Sequence, residues 1–170
     1  MSREKAPERT VVAATLRWNV PLPETLASKV REMLFSISNE LLDRDEAHSV
    51  AMTGHELLEN VVKYSTVGTS SFELQIVERG NEAHVCFRTR NHTTTEHGRN
   101  AQQLVQRIAT ASNPVAVYDE LVAGSPSRRG SGLGLARLRA EADMHVACTE
   151  EDDVISIVAE KRVTLKRSSQ

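Results

Sequence analysis

Residues 54–65, GHELLENVVKYS, carry side chains that suit a magnesium polyphosphate. Glu56, Asn60 and Lys63 are spaced i, i+4 and i+7, so a helix would place them on one stripe. Mg²⁺ accepts few protein oxygens and keeps water and phosphate as its other ligands, and the amide oxygen of Asn60 is a suitable donor. Lys63 would neutralise phosphate charge, and Glu56 would act as a general base. An amphipathic helix without a ligand shows the same charged stripe, and that alternative stays open.

A second candidate segment, residues 128–143 (RRGSGLGLARLRAEAD), is rich in glycine before an apolar helical pattern. Gly130, Gly132 and Gly134 would let the backbone approach a ligand, and the helix start offers N–H groups and a positive dipole end. Phosphate is the ligand that such a loop receives. The segment is not a Walker loop, because no Lys-Ser/Thr follows, and it lacks the βαβ setting of a dinucleotide fingerprint. A plain turn at a helix start is the alternative.

The two segments together resemble the ATP-binding domain shared by histidine kinases, gyrase-type ATPases and anti-sigma-factor kinases. Glu56 and Asn60 match the N box of that superfamily, and residues 130–135 match its second glycine box about 70 residues later. The resemblance covers roughly residues 24–164 and implies ATP and Mg²⁺ held under a mobile lid at 96–130. It implies Glu56 as the catalytic base and Asn60 as the metal ligand. The nucleotide-binding residues that it implies are Asn60, Lys63, Asn91, Arg129, Gly130, Gly132, Leu133 and Gly134.

The first glycine box of the superfamily is not matched in this chain. Its Asp-x-Gly-x-Gly pattern should follow the second strand of a hairpin, where the chain reads RNHTT at residues 90–94. Asn91 stands where the adenine-binding Asp is expected, and both glycines are absent. This departure resembles a divergent branch of small, stand-alone kinase-like regulators in bacterial partner-switching pathways. We expect Asn91 to contact the adenine.

The rest of the sequence predicts the elements that must position these residues. Alternating apolar residues predict strands at 11–18, 72–76, 83–87, 144–150 and 154–164. Helical spacing predicts helices at 24–43, 46–64, 100–111, 115–122 and 132–142, with a polar loop at 92–98. We therefore expect an α+β fold, a two-layer α/β sandwich with a mixed, largely antiparallel sheet and helices on one face, as in histidine-kinase-type ATPases.

Composition places further bounds on the protein. The 170 residues are 39% hydrophobic and 26% charged, as expected of one globular domain over 1–170 with its core at about 11–166. The net charge of −2 gives no basic footprint, so we expect no nucleic-acid partner. No apolar run is long enough to span a bilayer and no signal pattern opens the chain, so we expect a cytoplasmic protein without a membrane partner. Cys86 and Cys148 read as reduced core residues, with a long-range disulfide as the open alternative.

These observations and the resemblance predict an ATP- and Mg²⁺-binding regulator, a serine/threonine protein kinase of the anti-sigma-factor type. The implied partner is a small antagonist-type protein that carries the Ser or Thr. A sigma factor or another regulator is a further implied partner, and a homodimer is also implied. The alternative is a non-catalytic switch that binds its partner with weak or no nucleotide turnover. A histidine-kinase fragment and a gyrase-like ATPase fit less well, because the chain reads as a whole domain and no transducer domain follows.

Overall fold

The computed structural model describes residues 8–19, 21–23, 25–124 and 132–166. The described residues form five strands and five helices. In chain order these are β1 (Glu8–Trp18), α1 (Thr25–Leu41), α2 (Arg44–Tyr64), β2 (Ser70–Arg79), β3 (Glu82–His92), α3 (Thr95–Thr110), α4 (Pro114–Gly124), α5 (Leu133–Ala140), β4 (His145–Glu151) and β5 (Val154–Thr164). Among these residues, no helix combines the length and apolar character needed to cross a membrane.

The five strands form one sheet in the order β1-β2-β3-β5-β4. Each pair of neighbouring strands in the described residues is antiparallel. Leu74 lies opposite Phe87, which lies opposite Ala159, so these three buried side chains form one row on the same face. The α+β class is confirmed. The expected sheet was mixed and largely antiparallel, whereas each strand pair in the described residues is antiparallel.

The helices α1 and α2 cover the apolar face of the sheet and pack against each other. Gly54 on α2 permits this close approach, because a Cβ there would lie 2.2 Å from Leu34 Cδ1 and 3.3 Å from Phe87 Cε1. The core between the layers therefore depends on a glycine in the middle of a helix, where intrinsic propensity alone would disfavour it.

The helix α2 forms as its apolar spacing predicts. Asp43 caps its start, where the carboxylate accepts a hydrogen bond of 3.0 Å from the Glu46 N–H. Leu57, Leu58 and Val61 are buried against the core. The opposite stripe, which begins at Glu56, therefore points away from the α1–α2 core, as the helical period requires.

The prediction of a loop at 92–98 is wrong for residues 95–98, because α3 begins at Thr95. Thr94 caps the helix by accepting a hydrogen bond of 3.3 Å from the His97 N–H. Gly98, the last residue of the predicted loop, is instead buried within α3. A Cβ there would lie 2.7 Å from Glu150 Cγ, so the glycine allows α3 to lie close to β4.

The predicted lid at 96–130 is largely helical in its described part. It consists of α3 and α4, and α3 is anchored in the core by Val105 and Ile108. By contrast, α4 buries no side chain. Within the described residues, α3 is therefore a wall of the domain, and α4 is its more weakly held neighbour.

Both cysteines are free thiols. Cys86 lies opposite Glu160 and Cys148 lies opposite Ile157, and positions 157 and 160 of one strand point to opposite faces. The disulfide alternative is therefore excluded by the sheet. Burial, and then the charge of Glu150, raises the pKa of Cys148 to about 11.

Candidate functional site

A cleft of about 380 Å³ opens where α2, the end of β3, α3, the start of α5 and β5 meet. This volume lies in the range of about 300–1,000 Å³ that small-molecule sites occupy. Apolar side chains form much of the wall, and a few amide, hydroxyl and imidazole groups interrupt it. The lining residues are Asn60, Val61, Tyr64, Asn91, Thr93, His97, Asn100, Ala101, Leu104, Gly132, Leu135, Ile155 and Ile157.

Three of the residues that the sequence singled out line this cleft. Asn60 comes from α2, Asn91 from β3 and Gly132 from the N-cap position of α5. They are far apart in sequence, so the fold alone brings them together. The cleft is therefore the site at which the two candidate segments meet.

Two polar atoms in the cleft wall are buried without a hydrogen-bond partner among the described residues. They are Asn60 Nδ2 and Thr93 Oγ1. Leaving such an atom unpaired costs about 1–3 kcal/mol, so native proteins rarely tolerate it without a ligand or water nearby. Asn60 and Thr93 therefore leave hydrogen-bonding capacity in the cleft wall that water or a polar ligand would satisfy.

Asn91 has a defined amide orientation. Its side chain is only 3% exposed, and Nδ2 donates a hydrogen bond of 3.1 Å to the His92 carbonyl. Among the described residues, no donor is hydrogen-bonded to Asn91 Oδ1. In this orientation the side chain keeps an acceptor available for a ligand.

The start of α5 supplies backbone donors to the same cleft. Gly132 has φ +69°, and a Cβ there would lie 2.4 Å from Leu104 Cδ2, so both conformation and space favour glycine. The first turn of a helix has N–H groups without intrahelical acceptors, and these attract anions. Leu133, in that first turn, is half-buried and outside the cleft lining. The predicted contacts of Arg129 and Gly130 lie outside the described residues.

Glu56 does not line the cleft. Its side chain is 15% exposed, and Oε1 accepts a hydrogen bond of 3.2 Å from Arg137 Nη1 on α5. Arg137 Nε also donates to Glu141 Oε2 at 2.6 Å. The pKa of Arg137 is raised, first by the hydrogen bond to Glu141 and, less strongly, by the charge of Glu56. The predicted base is thus held in an ion pair with the helix that follows the glycine loop.

Gly134 lies against the same carboxylate. A Cβ at Gly134 would lie 2.5 Å from Glu56 Oε2, so the glycine lets α5 approach α2. Its role in this structure is close packing beside Glu56, since it is not among the residues that line the cleft. A direct contact of Gly134 with nucleotide stays a prediction.

Lys63 is also outside the cleft lining. Its ammonium donates to Glu59 Oε2 at 3.1 Å, one helical turn earlier on α2. Glu59 is also 3.5 Å from His55 Nε2. The predicted phosphate contact would therefore require Lys63 to leave Glu59, and an exposed pair of this kind costs only about 0.2–1 kcal/mol to separate.

The cleft lining offers some of the groups that a nucleotide with magnesium would require. Asn91 offers an acceptor and Thr93 an unpaired hydroxyl, while Ile155 and Ile157 give an apolar surface for a base. Asn60 offers an amide group for a metal. No Lys or Arg is found in the described part of the lining, so the N-terminus of α5 is the main described feature that would attract phosphate charge.

Several lining residues were missed by reasoning from the sequence. Tyr64 and His97 both line the cleft, and their rings pack against each other with centroids 5.0 Å apart. Tyr64 is four residues after Asn60, so its place on the same helical stripe was detectable. Ile155 and Ile157 reach the site through the sheet pairing of β3 with β5, which no local pattern announces.

Comparison with known proteins gives an informative match among solved structures. Neither a protein-family model nor a curated protein matches the chain. Among solved structures, the chain is similar to one in the crystal structure of the SiaB-SiaC complex from Pseudomonas aeruginosa, with a TM-score of 0.59 and 18% sequence identity. The match covers 91% of each chain. At this identity the likeness shows the fold alone, and it extends over nearly the whole domain.

Proposed function

We propose that this chain binds ATP and Mg²⁺ in the cleft and acts as a serine/threonine protein kinase in a bacterial partner-switching pathway of the anti-sigma-factor type. The observation that carries the proposal is the convergence of Asn60, Asn91 and Gly132 on one cleft with unpaired polar atoms in its wall. The neighbour of known structure was solved as a complex of two proteins, which supports the proposal of a protein partner for this chain.

Each residue has a distinct part in the proposed binding. Asn91 Oδ1 would accept a hydrogen bond from the adenine amino group, and Asn60 would hold Mg²⁺ through its amide oxygen. The N–H groups at the start of α5 would bind phosphate. Bound ATP supplies the phosphoryl group for transfer, and Mg²⁺ offsets its charge.

Glu56 would act on the partner's hydroxyl group. It would accept the hydroxyl proton as the hydroxyl oxygen bonds to the γ-phosphorus and the bond from that phosphorus to the leaving ADP breaks. In the structure Glu56 is paired with Arg137 outside the cleft lining, so this role requires the pair to separate.

The second candidate function is a switch that binds nucleotide or partner without turnover. The same Glu56–Arg137 pair favours it, because a carboxylate that stays bound to a guanidinium is not available as a base. The two functions differ in whether Glu56 leaves Arg137 and acts as a base.

Transfer of phosphate to a small Ser/Thr-bearing protein encoded near this gene decides between them. We expect phosphoserine or phosphothreonine on that protein, detected by mass spectrometry, and a loss of about 10²–10⁴-fold in Glu56→Gln. Glu32→Gln, the same change at an exposed position of α1 outside the cleft lining, is the control and should keep its rate. Binding of MgATP without any transfer would favour the switch.

A further inference from the structure

We propose that Arg137 is a positioning residue that holds Glu56 on α5 in the resting protein, so that movement of α5 makes the base available. This inference rests on the proposed function, in which Glu56 is the base and MgATP binds in the cleft. The contacts that support it lie on the inner side of α5, facing α2.

Both oxygens of the Glu56 carboxylate lie against α5. Oε1 accepts the hydrogen bond from Arg137 Nη1 at 3.2 Å. Oε2 lies 2.5 Å from the position that a Cβ on Gly134 would take. A base must direct an oxygen to the proton that it removes, and here both oxygens are directed at one helix. The resting position of Glu56 is therefore set by α5.

Arg137 is itself anchored on α5. Glu141, four residues further along the helix, accepts from Arg137 Nε at 2.6 Å, and the bond to Glu56 uses the other nitrogen, Nη1. The guanidinium therefore binds both carboxylates at once, and its own helix keeps it pointed at Glu56. Glu56 is therefore released when its bond to Arg137 breaks, while Arg137 remains bound to Glu141.

The same helix reaches the cleft at its other end. Gly132, at the N-cap of α5, lines the cleft, and Arg137 lies five positions later on a helix of 8 residues. A ligand that binds at Gly132 therefore acts on the rigid element that holds Glu56. We infer that nucleotide at the start of α5 weakens the Glu56–Arg137 pair.

The first test is the energetic coupling between Glu56 and Arg137. Folding equilibrium constants are measured by urea unfolding for the wild type, Glu56→Gln, Arg137→Met and the double variant, without ligand and with a saturating non-hydrolysable MgATP analogue. In the ligand-free protein, Glu56→Gln should lower the folding equilibrium constant when Arg137 is present. The same substitution should have an effect about two- to fivefold smaller when Arg137 is replaced by Met. With the analogue bound this difference should vanish.

The matched control is Arg139→Met. Arg139 lies on the same helix and makes a pair of the same spacing, with Asp143 at 2.6 Å, but does not contact Glu56. It should show no coupling to Glu56 in either state. No coupling in the ligand-free protein, or equal coupling with and without the analogue, would overturn the inference. Failure of the analogue to bind the wild type would instead count against the proposed function.

The second test is kinetic and uses MgATP hydrolysis by the intact chain. Arg137→Met should lower the KM for MgATP about two- to fivefold with kcat unchanged, because nucleotide no longer has to separate the Glu56–Arg137 pair in order to bind. Arg137→Lys keeps a charge and a donor and should remain close to the wild type. A KM that is unchanged or raised in Arg137→Met, or the same fall in KM in Arg139→Met, would mean that nucleotide does not act on the Glu56–Arg137 pair.

Discussion

Replacement of Asn91 tests whether the adenine lies at the end of β3. A neutral hydrogen bond is worth about 0.5–1.5 kcal/mol, so removal of Oδ1 in Asn91→Ala should weaken ATP binding by about 1 kcal/mol, or about fivefold. Since Nδ2 is already bonded to the His92 carbonyl, the amide must give up a bond of similar worth to present a donor to guanine. We therefore expect the wild type to prefer ATP over GTP by only about 1 kcal/mol.

The Asn91→Asp variant should separate affinity from stability. A charged acceptor forms stronger hydrogen bonds, so the preference for ATP should sharpen by about 1 kcal/mol. The same change removes the donor to the His92 carbonyl and buries a carboxylate at a position that is 3% exposed. The ligand-free variant should therefore lose about 1–3 kcal/mol of stability.

Calorimetric titration of MgATP and MgGTP against the wild type and both variants measures these affinities. Urea unfolding of the ligand-free proteins measures the stability change. If neither substitution alters either affinity, Asn91 does not lie under the base, and the match of residues 90–94 to the first glycine box is wrong.

Three further predictions follow from single contacts. Gly132→Ala should destabilise the fold by about 1–3 kcal/mol in thermal unfolding, because a Cβ there clashes with Leu104 and the residue must also adopt a positive φ. Gly80→Ala is the control: Gly80 has φ +70° but open space around it, so this variant should show the conformational cost alone. Cys148 should resist iodoacetamide at pH 8 in the native protein and react on unfolding. The raised pKa of Cys148 favours the folded state below about pH 9, and that contribution is lost as the pH rises from 9.0 to about 11. The free energy of unfolding should therefore fall across this pH range, which urea unfolding at several pH values would measure. Lys63→Met should change stability by less than about 1 kcal/mol, and a large loss of MgATP affinity in the same variant would show that Lys63 leaves its surface pair to bind phosphate.

The parts of the site that were predictable from sequence lie within single elements. The period of one helix, α2, predicts which of its residues are buried, namely Leu57, Leu58 and Val61. The same period places Asn60 on the other side of α2. Gly132 was recognisable because a helix start that needs a positive φ selects glycine. Periodicity and backbone conformation are local, so the sequence carries them directly.

The parts that were missed depend on contacts between distant elements. The helical period placed Glu56 beside Asn60, but a residue 81 positions away determines where its carboxylate points. Gly98 ends the predicted loop at 92–98, whereas in the structure it lies within α3 and packs against Glu150. Ile157 reaches the cleft only because β5 pairs with β3. Such pairings are set by the whole fold, and one sequence does not reveal them.

The most direct test of the central claim is calorimetric titration of the wild type with ATP, with and without Mg²⁺. We expect saturable binding that Mg²⁺ strengthens, with a gain in stability of about 2.7 kcal/mol at a ligand concentration 100 times Kd. Asn60→Ala should lose the effect of Mg²⁺, while Asn19→Ala, exposed after β1, should retain it. Absence of binding at millimolar MgATP, or an unchanged effect of Mg²⁺ in Asn60→Ala, would contradict the assignment of this cleft as a magnesium-nucleotide site.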